Sequence, residues 1–489
     1  MTKEHPRNSF RLALILVFSL AVMCWGALQN PLAPQEAQNI YMGRGILAEG
    51  FVACTEPAPP DSDRSIGGMM CAYPGSVAIA PLVTASADRF AGLYGARFVH
   101  IILGLGLVLL IYLIGNSPFY GKRGLLAATT FAFLGIPLQL SSSATTDAFA
   151  ALFLGASFWF IESAAGSRPA RERAFMLSVG ALSLSLAVMT NYIVLFFVVS
   201  VMLYVFLRHR AVAASVFFLL PLLAALSFYG YFAFLPAWPF LVKSTHFSLA
   251  RSTVIPVINF DYIFEWLSLP YLLATFGLFH NEKGRNAFFL MLLSAPAFLV
   301  PFVSFDISSI HSVVFFSLVF LAPAAALGVD HMGDLFSSYN MMSFVKQLFV
   351  SAVLVVILVF GFQQIKKLKR DYPDLSPAVT FFQGKGVPGF TVLVDSDYGS
   401  PEYVYRYVLE AENPSVRVIP IVRGDERERE EILTKMDPDY VVMDDYHSDR
   451  SYNRASLEYL LKGFTVVKTY QMTLSSGIKN IKIFQKGAL

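Results

Sequence analysis

Long apolar runs recur along most of this chain, and they constrain its fold more than any other feature. The first run covers residues 10–28, and comparable runs follow until about residue 365. Each is close to the roughly 20 residues that an α-helix needs to cross a bilayer. Only 15% of the 489 residues are charged, against about 25% in a typical soluble domain. The sequence therefore predicts a polytopic α-helical membrane protein.

The first apolar run is predicted to be a retained span. It follows a short basic N-terminus, as a signal peptide would, but it is long for a signal core and lacks an Ala-x-Ala cleavage site. The whole pattern gives about 11 spans. The further spans are placed near residues 94–115, 124–141, 147–163, 174–190, 192–207, 212–232, 262–279, 287–303, 312–329 and 347–364.

The distribution of Lys and Arg predicts the orientation. With a cytoplasmic N-terminus, the basic loops at 121–124, 167–173, 208–210 and 281–285 all fall in the cytoplasm, as the positive-inside rule requires. The loops at 29–93, 141–147, 233–261 and 304–311 and the C-terminal region then lie outside. The segment "KKLKR" (366–370) would lie at the outer face, where basic residues can contact lipid headgroups. The formal net charge of +3 is too small to indicate nucleic acid as a partner.

Residues 366–489 are predicted to form a separate extracytoplasmic domain behind a membrane domain of residues 1–365. Charges become frequent, and strand-like runs such as "FTVLVDSD" (390–397) and "YVVMDD" (440–445) alternate with helix-like segments. This alternation is typical of a small α/β domain. The domain carries no glycine-rich phosphate loop, so a nucleotide site is not expected there.

Two of the three cysteines, Cys54 and Cys71, share the first outer loop. An oxidising exterior would permit a disulfide between them, and two unrelated reduced thiols are the alternative.

Two acids and one arginine on the predicted outer side are candidates for a functional site. Glu36 lies in the first turn of a helix that Pro34 is expected to begin, where the helix dipole alone would favour an acid. Asp147 lies at the start of a span, where it would serve as an N-cap. Arg97, at the outer end of the second span, must snorkel outward or pair with an acid. Acids against a membrane are functional candidates because they are costly to place there.

Further polar residues on the same side are candidates for contacts with a substrate. The helix that begins at Pro34 carries Tyr41 and Arg44 on one face. Lys243, His246 and His311 lie in other outer loops. The sequence has no His-x-x-His motif or Cys cluster, so a metal site formed by the protein alone has little support. Participation of a divalent metal is left open.

The order of several motifs resembles the GT-C superfamily of membrane glycosyltransferases, in the branch of protein O-mannosyltransferases and aminoarabinose transferases. After one span comes "QEAQNIY" (35–41), similar to the family's Asp-Glu-Ala motif. "YPGSVAIAPL" (73–82), "GARFVHIILGLGLVLLIYLIG" (95–115), "FYGKRGLLAATTFAFLGIP" (119–137) and "SSSATTDAFAALFL" (141–154) then follow in the family's order. Beyond residue 174 the resemblance is only one of topology.

The resemblance implies a transferase that moves a sugar from a polyprenyl-phosphate carrier to an acceptor hydroxyl outside the cytoplasm. The acceptor is a protein, a lipid or a polysaccharide. Glu36 is the expected base and Asp147 is expected to position the acceptor or a metal. Arg97, Lys243, His246 and His311 are the candidates for the phosphate. The sequence departs from the family at Gln35, where the resemblance leads us to expect the catalytic Asp. This departure matters because an amide cannot act as a base. A flippase of a lipid-linked sugar and a catalytically silent assembly protein are the alternatives.

Overall fold

The computed structural model is a bundle of long apolar helices followed by a five-stranded sheet. It describes residues 5–49, 79–117, 120–121, 123–166, 169–209, 212–231, 254–280, 283–302, 307–338, 343–371, 373–384, 389–395, 401–421, 437–444, 461, 463–474 and 477–487.

The helices of the bundle follow the apolar runs of the sequence. Seven described helices are long and apolar enough to cross a membrane, or eight if one bent pair counts as a single span. The chain is therefore an integral membrane protein, and the expected total of about 11 spans stays a prediction. The helices are α1 (His5–Gln29), α2 (Pro34–Glu49), α3 (Ile79–Gly115), α4 (Gly124–Phe133), α5 (Gly135–Ser141), α6 (Asp147–Ala164), α7 (Ala170–Thr190), α8 (Leu195–His209), α9 (Val212–Tyr229), α10 (Val254–Leu278), α11 (Gly284–Ser294), α12 (Ile307–Ser338) and α13 (Ser343–Asp371).

Helix α12 forms the centre of the bundle. Every residue in the most apolar part of its span 310–335 is buried inside the protein. Its sequence "VVFFSLVFLAPAAALGV" (313–329) is apolar on all faces, as expected of a helix surrounded by other helices. The described helices α1 and α13 lie at the edge, since only 22% of their span windows is buried.

The predicted span 124–141 is not a single straight helix. It is divided at Leu134 into α4 and α5, which are bent by 72°. The bend leaves backbone groups without helical partners, and Gln364 of α13 compensates for one of them. Its Oε1 accepts a hydrogen bond from the Gly135 N–H at 2.8 Å, and its Nε2 donates to the Trp266 carbonyl at 3.1 Å. A buried polar side chain therefore stabilises the break.

Helix α2 and the first part of α3 form a layer at one end of the bundle. Helix α3 is interrupted at Gly92, whose φ of 62° suits only glycine among ordinary residues. The predicted span 94–115 is thus the second part of α3. Gly43 lets α2 cross the first part closely, because a Cβ there would lie 2.0 Å from the Pro81 carbonyl oxygen.

The C-terminal region forms a mixed sheet with the order β2-β1-β3-β5-β4. Strand β1 lies between β2 and β3 and is parallel to both, with Val392 opposite both Val418 and Tyr440. Strand β5 runs antiparallel to β3 and β4. The small C-terminal α/β domain of the predicted fold class is confirmed, and its boundary at residue 366 stays a prediction. The elements are α14 (Ser376–Gln383), β1 (Thr391–Asp395), α15 (Glu402–Tyr405), β2 (Arg417–Ile421), β3 (Tyr440–Asp444), β4 (Phe464–Leu474) and β5 (Gly477–Lys486).

Candidate active site

The first candidate acid, Glu36, forms a buried ion pair with Arg97. Arg97 Nε donates to Glu36 Oε1 at 2.9 Å, and Arg97 Nη2 donates to Oε2 at 2.7 Å. Each residue is only 1% exposed. This is the two-point geometry in which a guanidinium and a carboxylate match each other. The sequence left two possibilities for Arg97, snorkelling outward or pairing with an acid. In the structure Arg97 pairs with an acid, Glu36.

Two backbone N–H groups complete the environment of Glu36. The Ala33 N–H donates to Oε2 at 3.1 Å, and the Ala144 N–H donates to Oε1 at 2.6 Å. Since Pro34 is the first residue of α2, the bond from Ala33 is the side-chain half of a capping box. A carboxylate offers about four lone-pair sites, and four donors occupy those of Glu36.

The guanidinium of Arg97 is equally occupied. Besides its two bonds to Glu36, it donates through Nη1 to the carbonyls of Ala27 at 2.6 Å and Asn30 at 3.0 Å, and through Nη2 to the Pro31 carbonyl at 2.9 Å. A guanidinium has five N–H donors, and all five are used. Arg97 therefore ties the end of α1 to α2 and α3, and it has no donor left for a substrate phosphate.

Helix α2 also holds the polar turn that precedes the second acid. Glu36 accepts from the Ala144 N–H, and Asn39, one turn later, donates through Nδ2 to the Ala144 carbonyl at 2.8 Å. Ile40 of the same helix packs against the Ala144 side chain. Both backbone polar groups of Ala144, its N–H and its carbonyl, are therefore hydrogen bonded to side chains of α2, which fixes the turn 142–146 to this helix. This contact sets the position of Asp147 relative to Glu36.

Asp147 lies in a pocket of neutral hydrogen-bond donors. The Thr145 hydroxyl donates to Oδ2 at 2.8 Å, Asn191 Nδ2 donates to Oδ1 at 3.0 Å, and the Ser312 hydroxyl is a third partner. The residue is 7% exposed. Among the residues that the structure describes, these three donors use three of the roughly four lone-pair sites of the carboxylate. Asp147 is at the start of α6 as predicted, but it is the first helical residue and the N-cap position belongs to Thr146.

His311, a residue of α12, lies close to Asp147 in the fold. Its Nε2 and the Tyr262 hydroxyl are 3.0 Å apart, and the ring of Trp266 packs edge-on against the imidazole. His311 is fully buried. The structure thus brings His311 to the predicted acid, although the two are far apart in the sequence.

Arg44 and Tyr41, predicted to contact the substrate, lie where α2 meets the C-terminal region. Arg44 forms an ion pair with Asp88 at 2.7 Å and stacks over the Tyr407 ring at 4.6 Å. The Tyr407 hydroxyl donates to Asp88 at 2.8 Å. Tyr41 packs edge-on against Tyr403 and hydrogen bonds to Glu410. Both predicted residues therefore connect the two parts of the chain in this structure.

The remaining sequence candidates lie outside the described residues. These are Lys243 and His246, and the proposed disulfide between Cys54 and Cys71. The residues that sequence reasoning missed are Asn39, Asn191 and Ser312, which the fold brings to the turn and to Asp147. Only the position of Asn39 carried a sequence signal, because it lies one helical turn from Glu36 on the same face of α2.

A metal bridging Glu36 and Asp147 does not fit these side chains. The ligand oxygens of Glu36 already accept four hydrogen bonds, two of them from a guanidinium. The described residues contain one group with ligand atoms all within 4.8 Å, formed by His280, Asp330 and Asp334 at the opposite end of the bundle. Both of those acids are ion-paired, with Arg123 and Lys346.

Comparisons with known proteins agree with the resemblance drawn from the motifs. Residues 86–234 match the family model described as dolichyl-phosphate-mannose-protein mannosyltransferase. A comparison with curated proteins finds no significant match.

Three solved structures illustrate the similarity of fold. ArnT from Cupriavidus metallidurans, bound to undecaprenyl phosphate, has a TM-score of 0.56 at 12% identity, over 96% of this chain and 97% of that one. The oligosaccharyltransferase AglB from Archaeoglobus fulgidus, in complex with an inhibitory peptide and a dolichol-phosphate, gives 0.61 at 10% identity, over 98% and 74%. The arabinofuranosyltransferase AftD from Mycobacteria gives 0.54 at 11% identity, over 98% and 40%. The predicted resemblance is thus confirmed, and this chain has the fold of the GT-C membrane glycosyltransferases.

Proposed function

We propose that this chain is an integral-membrane glycosyltransferase. It transfers a sugar from a polyprenyl-phosphate carrier to an acceptor hydroxyl on the extracytoplasmic face. The observation that carries the proposal is the clamp formed by Glu36, Arg97 and Asn39, which holds the turn before a buried carboxylate, Asp147. Such an acid at the polar end of a membrane bundle is expensive to maintain unless it has a function.

The geometry supports different roles for the two acids. Among the described residues, Asp147 has three neutral donors for about four lone-pair sites, and it is the group that we expect to accept a proton from the attacking hydroxyl. General base catalysis of this kind contributes about a hundred to ten-thousand-fold. Glu36 acts through others: it holds Arg97 and the 142–146 turn, and so positions Asp147. This assignment departs from the sequence expectation, in which Glu36 was the base and Asp147 held the acceptor.

The departing lipid phosphate requires a cation. Arg97 is excluded from this role because its five donors are engaged within the protein. His311 lies beside Asp147 and remains a candidate, as do Lys243 and His246 in the outer loop 233–261. The bound lipids of two structures of similar fold, undecaprenyl phosphate in ArnT and a dolichol-phosphate in AglB, support a polyprenyl-phosphate carrier here.

A catalytically silent assembly protein is the second candidate, and Gln35 favours it. The catalytic Asp that the resemblance implies is replaced by an amide whose Oε1 is buried and has no hydrogen-bond partner among the residues that the structure describes. An amide at that position cannot take up a proton during attack.

A donor-cleavage assay separates the two candidates. The purified full-length protein in nanodiscs is supplied with a polyprenyl-phosphate sugar pool extracted from native membranes, and free polyprenyl phosphate is quantified by mass spectrometry. A transferase releases the lipid phosphate in an acceptor-dependent manner. If polyprenyl phosphate is released no faster than in nanodiscs without protein, for every membrane extract tested, the proposal is contradicted and the catalytically silent protein is favoured.

A further inference from the structure

Two edge helices, α1 and α13, each expose an apolar stripe, and the helices approach each other near the end of both stripes. In α13 the exposed residues Leu348, Val355, Val359 and Phe362 recur at helical spacing. Helix α1 exposes a stripe of the same kind, with Leu14, Val17 and Leu28 among its members. The two helices contact each other in a small buried cluster that contains Ala27 and Ile365. Exposed apolar stripes on a membrane bundle face lipid chains.

Both stripes end at the same level in a basic and aromatic rim. Lys366 is exposed and continues the α13 stripe one turn beyond Phe362. The Lys369 ammonium lies 4.2 Å from the ring centroid of Trp25, which is half exposed at the end of the α1 stripe. Among the described residues, neither Lys366 nor Lys369 has a carboxylate partner. A tryptophan at this level is typical of the membrane–water interface.

The third lysine of the segment points to the other side of α13. Lys367 lies 4.4 Å over the ring of Tyr262 and forms an ion pair with Glu265. The rim therefore has three ammonium groups, and among the described side chains only one acid, Glu265, is paired with any of them. The excess positive charge is on the lipid-facing side, with Lys366 and Lys369.

We propose that Lys366, Lys369 and Trp25 form a docking site for the anionic headgroup of a bilayer phospholipid, outside the reaction site. The lipid phosphate would bind the ammonium groups of Lys366 and Lys369, and the acyl chains would lie along the apolar stripes of α1 and α13. Basic residues next to an anionic lipid surface each contribute about a fivefold gain in binding.

The position of the rim favours a bilayer lipid over the sugar carrier. Lys366 is exposed next to the lipid-facing stripe, whereas Asp147 is buried inside the bundle. The lysine that faces the Tyr262 and His311 side chains is Lys367, which is not part of the proposed site. A lipid held here would fix the end of α13, from which the chain enters α14 and the C-terminal sheet. The inference does not depend on the proposed catalytic activity.

Native mass spectrometry of the full-length protein in detergent, titrated with phosphatidylglycerol or phosphatidylcholine, tests the proposal. We expect the wild type to prefer phosphatidylglycerol, and Lys366→Gln/Lys369→Gln to bind it about twenty-fold more weakly. Lys366→Arg/Lys369→Arg keeps the charge and should retain binding. Lys468→Gln/Lys482→Gln removes the same charge from the sheet and should have no effect.

Two results would overturn the proposal. The first is binding by the Lys366→Gln/Lys369→Gln variant within twofold of the wild type, in protein with an unchanged melting temperature. The second is complete displacement of phosphatidylglycerol by an equimolar amount of undecaprenyl phosphate, which would assign the rim to the carrier. Weaker binding by Trp25→Leu, with the lysines intact, would support the contribution of the aromatic ring.

Discussion

Glu36 and Arg97 are 61 residues apart in the sequence, and in the fold they share two hydrogen bonds within a fully buried pair. The two side chains take part in seven hydrogen bonds, two with each other and five with backbone groups around them. The pair joins the end of α1, the start of α2, the span of α3 and the turn before α6. It is therefore a structural clamp around the candidate reaction site.

Breaking the clamp from the Arg97 side should destabilise the protein strongly. Arg97→Met leaves Glu36 as a buried carboxylate without its cation, which typically costs about 3–5 kcal/mol. We expect a large drop in the melting temperature of the solubilised protein. The double variant Glu36→Gln/Arg97→Met removes both charges and should recover a substantial part of the loss. If the double variant is less stable than Arg97→Met alone, the unpaired charge of Glu36 is not the cause of the loss, and the proposed clamp is contradicted.

The role of Glu36 is tested by the pH dependence of a weakened enzyme. Glu36→Gln should reduce transfer severely, because an amide has one acceptor oxygen and no charge, and it cannot accept all four hydrogen bonds that the carboxylate accepts. The pairing with Arg97 and the hold on the 142–146 turn are then weakened together. If Glu36 only positions Asp147, the residual activity keeps the wild-type pH profile. Loss of the acidic limb of the pH–rate profile in this variant would restore Glu36 as the base.

The contact between α2 and the C-terminal region depends on Tyr407. Burial, followed by the hydrogen bond to Asp88, raises the pKa of Tyr407, so its hydroxyl stays protonated and keeps donating at physiological pH. Tyr407→Phe should cost about 1.5–3 kcal/mol, the usual range for a hydrogen bond to a charged group. Limited proteolysis should then release the C-terminal region faster, while Tyr470→Phe on the sheet should not change the rate. Equal rates for Tyr407→Phe and the wild type would contradict the contact.

Glu410 makes the same contact sensitive to pH. Burial raises the pKa of Glu410, against the opposing effects of the Val418 N–H, Arg406 and Tyr41. The folded protein therefore binds this proton more tightly than the unfolded chain. The stabilising contribution is complete below the ordinary pKa of glutamate and is lost as the pH rises through the raised value. Glu410→Gln should flatten this fall in melting temperature between weakly acidic and neutral pH, and an unchanged slope would contradict the assignment.

The elements were predictable from sequence because each depends on a local pattern. The apolar runs predicted the spans, and Pro34 predicted the start of α2 at the observed residue. The bend at Leu134 was missed, since a break stabilised by Gln364 from 229 residues away leaves no local signal. Strands β1 and β3 lie within the strand-like runs 390–397 and 440–445, whereas the order of the five strands depends on pairings between distant segments.

The sequence predicted which acids and which arginine belong to the candidate site, but it did not predict their hydrogen-bond partners. Sequence alone placed Glu36, Arg97 and Asp147 on one side of the membrane and offered pairing as one option for Arg97. It did not predict that Glu36 would be the partner, nor that four donors would saturate it. Partners such as Asn191 and Ser312 reach Asp147 from other helices, and ordinary polar residues in apolar spans carry no distinguishing pattern.

The most direct test of the account is donor cleavage by Asp147→Asn. The asparagine keeps the size of the side chain, and it can keep accepting from Thr145 or Ser312, so the melting temperature should stay close to the wild-type value. Release of polyprenyl phosphate should fall at least a hundred-fold, while Asp334→Asn at the opposite end of the bundle should retain wild-type activity. A folded Asp147→Asn protein that releases lipid phosphate at the wild-type rate would contradict the central claim that Asp147 is the reactive acid.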